Sequence, residues 1–210
     1  MRPVTLHVAN ATRGLDAHVA TIAGAFASAV ETSQELLGLE GVDVVVIDDP
    51  KQTTVEWGVG AVTQGPHFIM MALDSSREIT KYRVTTTLLH EFYHAMRWRG
   101  AECEGTLGRR LVSEGLAQLF EEQVLGEAPF LSRVNVSENE IRRANSALDD
   151  AQFDQGTWFD GNADVTKHFG YTYGYQLCRT YAQNSGTSAA ELVDVDANEV
   201  LGTLRVPRSR

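Results

Sequence analysis

The sequence predicts an α+β fold, with a small N-terminal mixed sheet and one helix first and a mainly helical part after it. Three observations point there. Two short β-branched runs, residues 4–8 and 42–47, flank an Ala-rich amphipathic stretch. Two more apolar runs, 57–63 and 68–73, are joined by a turn containing Gly65-Pro66. After Thr80 the apolar residues recur largely at helical spacing. Strands followed by helices is the α+β order.

Each element has its own signal. Residues 4–8 alternate as a short strand. The next apolar periodicity starts at residue 12 or 16, runs to about 37 as a helix, and is closed by Gly38. Residues 42–47 form a compact β-branched run ending at Asp48-Asp49-Pro50. A strand, a helix and a strand in that order favour parallel pairing through a right-handed crossover. The runs 57–63 and 68–73 are further strands. Helices are expected at about 80–99, 105–124, 137–150 and 171–184, with a short one near 188–194. Ser137-x-x-Glu140 and Ser188-x-x-Glu191 read as capping boxes. Residues 149–169 lack clear periodicity and mix Phe153, Trp158, Phe159, His168 and Phe169 with Gly, Asp and Asn. Such a stretch is either a lid at a cleft or a loop packed through its aromatics. The 210 residues are read as a single domain, with 1–79 as its α/β part and 80–210 as its helical part.

Bulk properties narrow the function classes. Hydrophobic residues make up 43% of the chain, enough for a core, yet no run of 18 apolar residues occurs. The opening segment lacks the apolar stretch of a secretory signal, so a cytoplasmic protein is expected. Cys103 and Cys178 stand far apart without metal-ligand spacing and are expected to be reduced thiols. A net charge of −10 offers little to a nucleic-acid backbone, so neither nucleic acid nor membrane is an expected partner.

The chemistry sits in His90-Glu91-Phe92-Tyr93-His94. Residues four apart share a helix face, about 5–6 Å between Cβ atoms. Two imidazoles so placed can reach one Zn²⁺, and Glu91 between them can take a proton from the metal's water. Val84, Leu88, Leu89, Phe92, Ala95 and Met96 make the surrounding helix broadly apolar. Polar groups inside such a helix need partners, and a metal is one. Tyr93 lies on a different face and is expected to pack. His7, His18 and His67 are expected to be structural or surface residues.

A catalytic zinc usually takes three protein ligands and keeps one position for water. The extension with a third His is absent, because Arg97 and Gly100 stand where its Gly and His would be. The third ligand is therefore sought among Glu102, Glu104, Glu114, Glu121 and Glu122. Glu114 is favoured: with Leu107, Leu111 and Gln118 it falls in one stripe of a second helix, where an apolar residue would be expected. Gly115 beside it would allow a close helix approach, and Gln118 could bond a ligand from one turn on. Glu121 is second, since the Glu121-Glu122 pair near a helix end looks like surface.

Three blocks carry a resemblance: Leu89 to Arg97 around the pentad, Ser113-Glu114-Gly115-Leu116-Ala117, and Gly170-Tyr171-Thr172-Tyr173-Gly174-Tyr175. They resemble the DUF2268 type of predicted zinc-dependent proteases, and the matching blocks span about residues 85–181. The resemblance implies a zincin-like fold, a gluzincin-like metallopeptidase, one Zn²⁺, a peptide or protein substrate, and Glu114 as the downstream ligand. It also bears on the oxyanion, which needs a donor besides the metal. Tyr171, Tyr173, Tyr175 and His168 are candidates. Tyr171 and Tyr175 share a helix face and match the family block, so Tyr171 is placed first and Tyr175 second.

The expected function is thus zinc-dependent peptide hydrolysis with Glu91 as general base. The competing reading is a zinc-bound, catalytically weak module that binds a peptide or partner. Hydrolysis of another amide by the same chemistry is a third. A strand near the metal, either 59–63 or 68–73, could offer its edge to an extended peptide.

Overall fold

The structure is a computed structural model that describes residues 2–101 and 105–205. Glu102, Cys103 and Glu104, weighed above as ligands or thiol, lie outside the described residues. Contacts gather the chain into two units, Met1–Arg99 and Gly100–Arg210.

In the first unit, strand β1 (Val4–Ala9) leads through helix α1 (Val19–Leu37) to β2 (Val42–Asp48). β3 (Val59–Gly65) and β4 (Phe68–Leu73) form a hairpin, and α2 (Lys81–Gly100) closes the series. The sheet order is β1-β2-β4-β3. β1 and β4 each run parallel to β2, while β3 runs antiparallel to β4, so the sheet is mixed. The period of two is visible in β2, where Val42, Val44 and Val46 are buried while Asp43 is exposed. β4, interior to the sheet, is apolar almost throughout, and Ile69, Met71, Ala72 and Leu73 are buried.

α1 starts later than its periodicity suggests. The Asn10 carboxamide accepts from the Leu15 N–H at 2.9 Å and donates to Asp16 at 2.7 Å. These local bonds hold the segment in turns, where Asn and Asp side chains compete with helix formation. Its end is where Gly38 predicts it, at φ 67°, with the Gly38 N–H returning to helix carbonyls. β3 likewise starts two residues late, because Trp57 and Gly58 both donate to the Thr54 carbonyl in a turn.

α2 is fixed to this unit at three levels. Phe92 meets Phe26 of α1 edge to face, with ring centroids 6.4 Å apart. The Thr63 hydroxyl of β3 reaches Glu91. Arg99 donates through Nη2 to the carbonyls of Glu40 at 2.7 Å and Pro66 at 2.8 Å.

The second unit consists of α3 (Leu107–Leu125), α4 (Glu138–Ser146), α5 (Phe169–Ser185) and α6 (Ala197–Arg205), with a 3-10 turn at Phe130–Ser132 and a π-helical turn at Gly156–Asp160. Its centre is the crossing of α3 and α5. A Cβ at Gly115 would stand 2.2 Å from the Gly174 carbonyl oxygen, and one at Gly174 would stand 2.2 Å from that of Leu111. The two backbones therefore touch, which is the close approach that Gly115 suggests in the sequence.

α4 has the expected capping box at Ser137 and Glu140 but stops at Ser146 rather than about 150. The Leu148 and Asp150 carbonyls instead accept from the Gly108 and Leu107 N–H groups, which are orphan donors in the first turn of α3. Ser188 and Glu191 also form their reciprocal bonds, yet only turns follow. The sequence reading missed α6 itself. Its start is marked by Asp196, whose carboxylate accepts from the Asn198 N–H at 2.7 Å. The 149–169 stretch packs through its aromatics: Trp158 stacks near Phe169 at 5.7 Å and Phe159 meets Tyr171 at 5.1 Å. Among the described residues, no helix is long and apolar enough to cross a membrane.

Candidate metal centre

α2 turns the five-residue motif into geometry. His90 and His94 lie one turn apart and are partly exposed, while Glu91, Phe92 and Tyr93 between them are buried. The two Nε2 atoms are 2.9 Å apart and the rings are inclined at 74°. Two imidazole nitrogens on one tetrahedral zinc, each at about 2.0–2.1 Å, would stand about 3.3 Å apart. The observed pair is a few tenths of an ångström closer, the spacing of a hydrogen bond between neutral imidazoles when one donates and the other accepts. A small widening converts one arrangement into the other. Tyr93 is fully buried and packs, as its face predicts.

Glu91 is 6% exposed, and its Oε2 accepts from the Thr63 hydroxyl at 2.7 Å. A buried carboxylate needs such a donor. Thr63 carries no motif, so sequence reasoning missed it.

Glu114 is 3% exposed, so it is no solvated surface residue. Arg110, one turn earlier on α3, places Nη2 2.8 Å from its Oε1. The i,i+4 spacing of this Arg and Glu was readable in the sequence and went unused. His90, His94 and Glu114 can each offer one ligand atom, and these atoms all lie within 4.8 Å of one another. Two imidazoles and one carboxylate make the donor set of a His₂Glu zinc site. Gln118, one turn beyond Glu114, is 1% exposed, and neither amide atom finds a hydrogen-bond partner among the described residues. An orphaned buried amide is costly, and a bound water or ligand would relieve it. The residues present therefore fit the metal their motif implies.

Two parts of the sequence argument need correcting. The stripe does not single out Glu114, because α3 is buried continuously from Leu111 to Glu121. Glu121 is buried at 6% exposure rather than lying at the surface. Glu122 is more open and lies 3.5 Å from Arg179.

The tyrosines of α5 differ. Tyr171 is partly exposed, with its ring against Phe159 and 6.0 Å from that of His168. Tyr175 is buried, with the Arg179 guanidinium 5.9 Å from its ring centre. Burial pushes the Tyr175 hydroxyl up to about 12, helped by the Glu122 carboxylate and opposed by Arg179. Tyr173 donates to the Asn145 carboxamide at 2.5 Å, which commits its hydroxyl locally. His168 sits at φ 66° just before α5. His7 pairs with Asp43 at the surface, His18 contacts the Ser75 carbonyl and His67 that of Gly41. All three have the structural or surface character expected of them. Cys178 is a buried free thiol whose Sγ donates to the Val112 carbonyl.

A family model described as predicted Zn-dependent protease (DUF2268) matches residues 22–202. The match extends well beyond the three blocks and takes in strands β2, β3 and β4 and nearly all of α1, but not β1. No curated protein and no solved structure matched the chain.

Proposed function

The chain belongs to the DUF2268 family of predicted Zn-dependent proteases, and from that premise we propose that it is a gluzincin-like, zincin-fold peptidase. One observation carries the reading: two imidazole nitrogens and one carboxylate oxygen within 4.8 Å of one another, with a second buried carboxylate on the residue next to the first imidazole. His90, His94 and Glu114 would hold one Zn²⁺. When bound, the ion would bring a water's pKa toward about 7 and polarise a carbonyl.

The rest of the chemistry belongs to side chains. Glu91 would accept the proton of the attacking water and pass it to the departing amine. A tyrosine of α5 would donate to the oxyanion, with Tyr171 first because its ring is partly open. Tyr175 is second, since it is buried. Both hydroxyls would act as neutral donors. The substrate would be a peptide in extended form. β4 lies inside the sheet, which leaves β3 as the edge strand next to Glu91. A peptide running antiparallel to β3 would bond its main chain there.

The test uses zinc-loaded wild type and E91Q against a broad peptide library. The expected result is about one zinc in each, with cleavage by wild type alone. An inert, zinc-loaded wild type would favour a binding module instead.

A further inference from the structure

We infer that Thr63 is a positioning residue for the general base, fixing one oxygen of Glu91 so that the other faces the reaction. This rests on the reading of Glu91 as base given above. Thr63 and Glu91 lie on separate elements, β3 and α2, and both are buried, at 8% and 6% exposure. The Thr63 Oγ1 stands 2.7 Å from Glu91 Oε2 and 3.0 Å from the Glu91 carbonyl oxygen. A hydroxyl has one proton to give. The shorter contact is the stronger, so the proton goes to Oε2. Glu91 Oε1 takes no hydrogen bond from any described residue, which leaves it as the oxygen that receives a proton.

Two features make the contact rigid. A β-branched side chain on a strand has few χ1 choices. The ladder between β3 and β4 also shifts register between Thr63 and Gly65, with Thr63 opposite Ile69 and Gly65 opposite Phe68. The intervening Gln64 is thus a bulge residue. Bulges of this kind bend a strand locally and re-aim a side chain beside a site. A carboxylate held in one orientation loses little freedom when the reaction begins, which is the source of orientational rate gain.

The experiment compares wild type, T63V and T63S. T63V keeps the shape and removes the hydroxyl; T63S keeps the hydroxyl. Zinc content and melting temperature confirm that each variant is folded and loaded. For T63V, kcat is expected to fall about 10- to 100-fold, the scale of a misplaced catalytic group, with KM within about twofold. T63S should recover most of that loss. Crystal structures of the same proteins give a readout that needs no turnover: the Glu91 carboxylate should leave its wild-type position in T63V and keep it in T63S. If wild type cleaves nothing, the peptidase reading fails, and the Glu91 position alone decides the role of Thr63. A T63V protein with an unmoved carboxylate, or with wild-type kcat, overturns the inference.

Discussion

Tyr171 and Tyr175 lie one turn apart on α5, yet burial separates their chemistry. Removing a single oxyanion donor costs about 10²–10³ in kcat. Y171F is therefore expected to lose that much turnover at unchanged zinc content, while Y175F should lose less than tenfold; steady-state kinetics with metal analysis decides between them. A reversed order would move the donor to Tyr175. At this scale the sequence was informative where chemistry repeats along one element. His90, Glu91 and His94 are legible because helical spacing alone brings the imidazoles together. Thr63 was not, because a contact between a strand and a helix 28 residues apart leaves no local pattern. Glu114 was named for a reason that fails, since every face of its helix is buried around it. The resemblance had pointed to the same residue independently.

Between elements, the α3–α5 crossing is the tightest constraint. G115A would drive a methyl group into the Gly174 carbonyl, and overpacking of this kind typically costs about 1–3 kcal/mol. Chemical denaturation should show that loss, and unchanged stability would mean the helices can separate freely. α4 gives a pH-dependent prediction. Burial alone would raise the Glu140 carboxyl, but bonds from the Ser137 hydroxyl, the Thr166 N–H and the Ser137 N–H outweigh it and hold it down at about 2. The folded value lies below the ordinary 4.5 of a glutamate, so the stabilisation is complete above that pH. It is lost as pH falls from about 4.5 toward 2. E140Q should be less stable than wild type at pH 7, with the gap closing across that window in an acid titration of stability. A constant gap would rule out the carboxylate as its origin. Strands and long helices were legible from their periodicity. Boundaries failed where side chains or carbonyls found other partners, as at Asn10 before α1 and at Leu148 and Asp150 beyond α4. Ser188 and Glu191 show that the reciprocal capping bonds alone do not start a helix.

For the molecule as a whole, the order of strands before helices was enough to give an α+β chain with a mixed sheet. The sequence division at 79/80 separated the motif helix from the strands. Contacts instead group α2 with the sheet, through Thr63, Phe26 and Arg99, which alternation and periodicity do not encode. If zinc binds only the folded chain, it must also stabilise it. At free zinc near 100 times Kd the gain is about 2.7 kcal/mol. That corresponds to a rise in melting temperature of roughly 5–10 °C for a chain of this size, readable by scanning calorimetry with and without chelator. No rise would mean the metal finds no preformed donors. The most direct test of the three-ligand claim is a zinc titration of wild type, E114A and E121A by competition with a chromophoric chelator. Wild type and E121A should bind one zinc with similar affinity, and E114A should lose most of it. Full zinc affinity in E114A would contradict the assignment and, with a loss in E121A, move the third ligand to Glu121.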